Sequence, residues 1–597
     1  MIDETKQDIF SYIKTEEANY QSLPIQISEG YEWSMFKHIK LTLLYKASKF
    51  ETGNTDNKPF RNIMRPILNL QYRAEGFDVK DIVLFVNSAK NYYKSFLVRK
   101  YHDKWARDNS IDTFIDDMVE SYVDFGGALL KNVNDKKPEV VPLQRIAFCD
   151  QTDILSGPIC ERHAYSPDQL KEMEKQGWGD EKKEATIGID ELITLSKGYK
   201  QDNQTGKKSK TPGRYIEIYE LHGMFPEWWL DKNNSDKFIR QLHIVAFYQK
   251  EGGEKQGVCL YKGREKELIY KFIARDKIYG RALGFGGAEE MFESQVWVNY
   301  DIIRIKDMLD AASKVIFQTA DRTFAKRNKL KNLDNLEILT TEDGKTVSQI
   351  NTTPVNIRLF ENSIVEWEDS ARTIGAATES IMGEQPKSGT PFKLQELVTA
   401  ESHSLHEYRK GKLATFLDEV YRDWIIPYIA KEINQGQEFI AELDLEEMQG
   451  IADSIVTNEA NKIIKEKILN GELVEKEEIE KYKQEIRDNF RKGGNKKFIK
   501  ILEKEIQDAP IDVFVSIVGK QKYLAQITDK LVNVFRQIIA SPTILDDPRM
   551  GKLFNQILEA SGLSPIDFYQ TSRLQIQQPA MPVAPLPASQ NLAKVLQ

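Results

Sequence analysis

AEEMFESQVWVNYDIIRIKDMLDAASKVIFQTA, residues 288–320, is the most regular stretch of the chain. Its apolar residues Val298, Ile302, Ile305, Leu309, Ala312 and Ile316 recur in steps of four and three, while Asp301, Arg304, Lys306, Asp307, Asp310 and Lys314 fall on other faces. The spacing predicts one continuous helix, about 50 Å long at ~1.5 Å per residue. A second partial stripe, Met308, Ala311 and Val315, leaves more apolar surface than one partner helix covers.

On its C-terminal side the helical period is lost. DRTFAKRNKLKN is basic, NLEILTTEDGKTVSQINTT reads as a hairpin turning at Asp343-Gly344, and PVNIRLF is strand-like. Residues 321–361 are therefore expected to form a small module at the far end of the helix. NSIVEWEDSARTIGAATESIM, from Asn362, is a second helix that returns the chain towards its starting point. Next comes GEQPKSGTPFKLQ, residues 383–395, where Gly383, Pro386, Gly389 and Pro391 stop both neighbouring helices. Lys387 and Lys393 make it a polar loop with two cations, longer than a plain turn requires. From Pro391 a further long helix is expected, bent near Gly411 or Pro427.

Ahead of the opening stretch, the first ~140 residues read as mainly helical, with IDTFIDDMVESYVDF ending at Gly126 and Gly127. PEVVPLQRIAFCDQTDILSGPICERHAY changes to short apolar runs cut by Pro142, Gly157 and Pro158, as strands require. Residues 198–213 are too polar to bury. RYIEIYELHGMF, IRQLHIVAFYQK, GVCLYKG and ELIYKFIAR then predict a small antiparallel sheet. Far downstream, residues 437–505 read as Glu- and Lys-rich helices, IDVFVSIVG as a strand and YLAQITDKLVNVFRQII as a helix. The Pro-rich end from about residue 573 is expected to be extended and disordered. The fold class is α+β, predominantly helical, with several packed regions, since 597 residues exceed what one core serves.

Hydrophobic residues at 41% and charged residues at 29% are those of a water-soluble globular chain. Neither a cleaved export signal nor a bilayer span is expected. Cys149, Cys160 and Cys259 have no metal-type spacing and read as reduced, mostly buried thiols. A net charge of −8 argues against a surface that grips duplex DNA, because such binding depends on Lys and Arg displacing counterions. His403 and His406, with Glu401 and Glu407, lack zinc-hydrolase spacing and read as a solvated helix face. GRALGFGGAEE, residues 280–290, reads as a sharp turn packed under the long helix, because Glu289 and Glu290 occupy the helix end a phosphate would need. Asp116 and Asp117 are adjacent and point apart, and no GxSxG is present. No catalytic, cofactor-binding or metal-ligating set stands out, and a non-enzymatic protein is expected. The densest basic patch is Arg322, Lys326, Arg327, Lys329 and Lys331, at the tip of the helical excursion, and it reads as a docking surface for an acidic partner or DNA.

The order of these parts, a sheet-containing N-terminal half with FIDDMVESYVDFGGALLK and VPLQRIAFCDQTDILSGPICERHAY, then YGRALGFGGAEEMFESQVWVNY entering a long helix, a basic inserted module, a returning helix and SGTPFKLQ, resembles the portal (head–tail connector) proteins of tailed bacteriophages. The likeness covers roughly residues 60–570 and rests on order, since each signature is diffuse. It implies a ring, usually of twelve subunits, at one capsid vertex of the virion, assembled in the host cytoplasm. By position, residues 1–285 look like the wing, 286–320 and 362–383 like two stem helices, 321–361 like the clip and 384–395 like the tunnel loop. Residues 396–510 look like a long helix and the rest of the wing, and 511–572 like the crown or its base. The resemblance further implies a conduit for double-stranded DNA in packaging and ejection, lined by Lys387, Ser388, Gly389, Thr390, Pro391, Phe392 and Lys393. The implied partners are the major capsid protein, the terminase motor, tail or adaptor proteins and DNA read without sequence specificity, with no membrane and no cofactor. Two other classes remain open: a helical scaffold or adaptor of the same particle, and a metal-dependent nucleic-acid hydrolase using scattered carboxylates.

Overall fold

The computed structural model describes residues 8–51, 58–86, 92–133, 137–175, 177–180, 185–197, 215–230, 237–249, 255–314, 316–328, 339–350, 356–377, 404–433, 445–470, 477–488 and 511–515. The chain divides into two compact units, Met1–Gly519 and Lys520–Gln597, and all of these residues belong to the first.

The chain begins with α1 (Ile9–Ser22), the hairpin β1 (Ile25–Ser28) and β2 (Tyr31–Trp33), α2 (Met35–Lys46) and α3 (Met64–Glu75). Next come β3 (Ile82–Val86), α4 (Tyr92–Asp108), α5 (Ile111–Phe125) and β4 (Gly127–Lys131). The expectation of a mainly helical start thus holds for the helices and misses four strands. Ile111, Phe114, Ile115, Met118, Val119 and Tyr122 give α5 one buried face against α3 and α4. The helix stops where the Gly pair predicts: Gly126 has φ +80°, and a Cβ there would lie 2.2 Å from the Gly284 carbonyl oxygen.

The sheet-forming region follows as β5 (Glu139–Val141), β6 (Ile146–Phe148), β7 (Ile159–Tyr165), α6 (Pro167–Glu174), α7 (Ile189–Lys197), β8 (Ile216–Pro226), β9 (Phe238–Gln249), β10 (Lys255–Arg264) and β11 (Tyr270–Ala274). Three of the four expected strands join one antiparallel sheet of order β10-β9-β8-β7-β6, and the fourth, β11, pairs with β4 in a second sheet, β11-β4-β5. The larger sheet is covered on both faces. Tyr219, Leu221, Val245 and Phe247 face α1 and the core beneath it, while Ile216, Ile218, Ile244 and Ala246 face α6 and α7. That double covering is why these strands read as nearly continuous apolar runs.

α8 (Gly287–Glu290) and α9 (Phe292–Ala312) replace the single long helix expected over 286–320. At ~1.5 Å per residue the 21 residues of α9 span about 31 Å. Beyond Ala312 the β-prone residues around Ile316 and Phe317 form β12 (Ile316–Thr319), so Ile316 leaves the helical stripe for a strand. The short α10 (Phe324–Arg327) and β13 (Val347–Ile350) complete the inserted module, with β12 and β13 antiparallel. Gly344, at φ +76°, and the Lys345 N–H to Glu342 carbonyl bond of 3.0 Å place a turn where it was expected. The strand following that turn pairs with β12.

The described part of PVNIRLF is helical rather than a strand: α11 (Ile357–Ile374) already includes Ile357 and Phe360, because these continue the inward face of Ile364, Trp367 and Ala371. After residues outside the described set come α12 (Ser404–Val420), a π-helical turn (Tyr421–Ile425) and α13 (Ile426–Ile433). The expected bend is this widened turn. Pro427 has no N–H for the carbonyl four residues earlier, and the chain accommodates the missing bond just before it. α14 (Leu445–Leu469) and helical residues 477–488 follow, and β14 (Ile511–Val515) pairs antiparallel with β3. The expected boundary at 511 therefore falls on a strand already joined to the N-terminal region. The remaining residues of the expected crown, 516–572, and the Pro-rich end lie outside the described residues. Among the described residues no helix is long and apolar enough to cross a membrane.

Gly126→Ala sets a Cβ against backbone on the opposite side of the contact and forces an alanine into the left-handed region, so we expect a loss of about 2 kcal/mol or more, read by urea denaturation.

Candidate functional site

α9 and α11 form an antiparallel pair that leaves the body and comes back. Trp297 stacks on Trp367 with ring centres 6.1 Å apart, Ser363 Oγ donates to Asp301 Oδ2 at 2.7 Å, and Arg304 lies over Phe360 at 5.9 Å. Both roots of the pair are held by α3. Gln295 Oε1 accepts from the N–H groups of Ile63 (2.8 Å) and Met64 (3.4 Å), and Asn62 Oδ1 accepts from the Arg65 N–H (3.0 Å), so the first turn of α3 is capped from both sides. At the other root Gln71 Nε2 donates to the Gly375 carbonyl at 3.0 Å.

Along α9 the expected stem stripe divides. Val298 is buried, Ile302, Ile305 and Ala312 are half-buried, and Leu309 is 51% exposed. Trp297, Tyr300, Leu359 and Val365 are exposed as well, so the pair carries apolar surface towards solvent.

The module at the tip is organised by Asp321. Its Oδ1 accepts from the Thr323 N–H (2.8 Å) and hydroxyl (2.9 Å), and its Oδ2 from Arg327 (2.8 Å) and the Glu342 N–H (3.2 Å). Burial pushes the carboxyl up, but these donors outweigh it and hold Asp321 at about 2. Asn328 and Thr340 exchange two further bonds between the halves of the module. Arg327, expected in the open basic patch, is thus engaged with Asp321 and Glu342. Arg322 and Lys326 are exposed, and Lys329 and Lys331 lie outside the described residues.

Lys387, Ser388, Gly389, Thr390, Pro391, Phe392 and Lys393, expected to line a channel, also lie outside the described residues, as do Glu401 and His403. The described residues on either side, up to Ala377 and from Ser404, meet at a buried ionic hub. Arg275, fully buried, donates through Nε and Nη2 to both oxygens of Glu75 (3.1 and 2.7 Å) and through Nη1 to Glu290 (3.4 Å). Arg409 donates to Asp276 (2.9 and 2.5 Å) and to Glu290 (2.6 Å). His406, expected on a solvated face, is buried with Nδ1 3.1 Å from Glu75 Oε1 and Nε2 3.3 Å from the Ala376 carbonyl. Its polar sequence neighbours hid this, because the decisive contact is to Glu75, over 300 positions away. Burial pushes the Glu75 carboxyl up, yet the His406 bond and the Arg275 guanidinium more than offset it and hold Glu75 below the usual carboxylate range.

The glycine-rich stretch before α8 is the packed turn its acids predicted. Arg281 takes both oxygens of Glu289 (2.8 and 2.6 Å), while Arg275 and Arg409 share Glu290, so the helix end is occupied by carboxylates already paired.

A second buried polar cluster went unnoticed in the sequence. Glu161 on β7 lies directly opposite Glu220 on β8, and Lys131 at the end of β4 donates to both, at 2.8 and 2.7 Å. Tyr270 donates to Glu161 at 2.5 Å, and His222 sits between Glu220 (3.1 Å) and Glu265 (2.7 Å). Burial would lower the Lys131 ammonium, but Glu220 and Glu161 raise it overall. His163 faces the same two carboxylates. The one available signal was Glu161 and His163 two apart on a strand, hence on one face.

No protein-family model matches the chain, and no curated protein matches it. Among solved structures, a chain from the neck of an empty GTA particle computed with C6 symmetry is similar at 9% identity and a TM-score of 0.33, over 72% of this chain and 96% of that one. A chain from the virion of a native gene transfer agent (GTA) particle is similar at 9% identity and a TM-score of 0.30, over 91% and 98%. Likenesses this shallow leave the functional reading to the residues themselves.

Arg275→Met should cost about 3–5 kcal/mol, because it leaves Glu75 buried without its main counter-ion. Glu75 then keeps His406 and the more distant Arg409, but burial without the Arg275 guanidinium moves its carboxyl upward, so the deficit relative to wild type should shrink as pH falls towards ~5. Denaturant midpoints measured across that range check both.

Proposed function

We propose that this chain is a portal-type subunit of a tailed-phage-like particle, which forms a closed ring and conducts double-stranded DNA. The observation that carries the reading is the antiparallel pair α9 and α11, rooted on α3 and bearing a small module at its tip, within an α+β body. The sequence resemblance attaches stem and clip to these parts. Exposed Trp297, Tyr300, Leu309, Leu359 and Val365 suit packing against a neighbouring copy. A net charge of −8 suits a conduit, since a strongly basic channel would hold the duplex through its phosphates. On this reading the module at the tip docks the terminase motor and later a tail or adaptor protein, and residues 384–395 line the channel.

Electron microscopy of the purified chain should show closed rings with a central channel. Monomers or open fibres would sink the proposal, and a ring or shell lacking a channel would favour a scaffold or adaptor. Replacing the exposed Arg322 and Lys326 by Ala should leave ring formation intact and weaken capture of the motor; unchanged capture in a pull-down removes them from docking. Deleting residues 386–390 should spare assembly and lower the yield of DNA-filled particles, whereas normal filling would make that stretch a linker.

A further inference from the structure

We propose that Glu161, His163 and Glu220 form a binding site for a divalent transition metal of the zinc class, on the surface of the five-stranded sheet next to Lys131. The inference is independent of the portal reading. His163 Nε2 lies 3.5 Å from Glu161 Oε2 and 3.3 Å from Glu220 Oε2, and one ligand atom from each residue falls within 4.8 Å of the other two. Zinc bonds to nitrogen and oxygen of about 2.0–2.1 Å give tetrahedral edges of about 3.3–3.4 Å, so the imidazole stands from each carboxylate at the spacing of ligands sharing one ion.

The donor that decides the matter is the His163 nitrogen. That atom is shielded from water and stands between two carboxylate oxygens, 3.5 Å from Glu161 Oε2 and 3.3 Å from Glu220 Oε2. Its ring is fixed in that direction by stacking on Tyr165, at 5.4 Å and 17°. In the unliganded site this nitrogen holds only long contacts to the two carboxylates, whereas a divalent ion among the three would be bonded directly by each.

The remaining carboxylate oxygens have the outer partners that metal ligands ordinarily have. Glu161 Oε1 accepts from Lys131 and Tyr270, and Glu220 Oε1 faces His222, which is itself held by Glu265. Lys131 also reaches Glu220 Oε2, and the second lone pair of that oxygen is available to an ion. Three carboxylates, Glu161, Glu220 and Glu265, meet here with Lys131 and the His222 ring, which leaves negative charge for a divalent ion to neutralise. The His163 and Glu220 side chains are 13% and 14% exposed, so an ion can enter and keep one water as fourth ligand. Bound there, it joins β7 to β8 and, through the shared carboxylates, to Lys131 on the second sheet.

The test is a titration of the full-length chain, stripped with chelator and dialysed, using Co²⁺ alone as the probe. One Co²⁺ per chain with the intense visible absorption of four-coordinate cobalt, displaced by Zn²⁺, is expected. His163→Gln should bind at least about tenfold more weakly and lose that absorption while keeping the wild-type circular dichroism. In parallel, Zn²⁺ should raise the wild-type Tm in a concentration-dependent way and leave that of His163→Gln unmoved. If wild type takes up no stoichiometric cobalt, or His163→Gln binds it with the same spectrum and affinity, the site is not a metal site.

Discussion

The pairing of Arg275 with Glu75 is the constraint on which the rest of this structure depends. Both side chains are fully shielded from water, and an ion pair in that position is tolerated only when every remaining donor and acceptor is also met. The partners that meet them come from distant parts of the chain: Glu75 ends α3, Arg275 leaves β11, Glu290 ends α8, and His406 and Arg409 lie on α12. Apolar packing tolerates some sliding between elements, whereas this set of bonds fixes their relative positions. The backbone contact between Gly126 and Gly284 acts alongside it, because no side chain fits between α5 and the turn preceding α8.

From that fixed base the excursion becomes steadily less buried. The first turns of α9 are held by Gln295 and Asn299 against the segment entering α3. Midway, the pair is joined by Asp301 with Ser363 and by the tryptophan stack, and its outward faces are wet. At the tip, β12 and β13 form a two-stranded ribbon that is almost wholly exposed, and a ribbon of that size has little stability of its own in water. Polar bonds around Asp321 supply much of what defines the module. Such a gradient, with a tightly determined root and a lightly determined tip, places local opening at the tip.

Periodicity made most of the helices and the large sheet legible. α5, α9, α12 and the strands β8 to β10 each carry their burial pattern within one short window, and local spacing suffices there. It failed at the ends of elements, where two patterns compete. Ile316 continues a helical stripe and also begins a β-prone run, and pairing with β13 decides for the strand. Ile357 and Phe360 read as a strand until packing against α9 draws them into α11. β3 was missed because its partner β14 lies over 400 positions away, and nothing in its own window distinguishes a paired strand from a helix end. The ionic groups were least legible. Solvated and buried histidines have the same neighbours in sequence, so His406 and His163 are told apart from surface residues only by what faces them across the fold. Arg327 shows the reverse case, a cation counted as open that is engaged within its own module.

The hub also bears on the segment between α11 and α12. Ala376 and His406 are in contact through a 3.3 Å approach, so residues 378–403 depart from and return to one buried point. Between fixed ends, the entropy cost of closing a chain grows only slowly with length, about 0.6 kcal/mol for each doubling. A long connection is therefore little harder to close than a short one, and changes within it need not be transmitted to the hub as long as its two ends stay paired. Burial of His406 against Glu75 and of Ala377 in the core is what keeps them so.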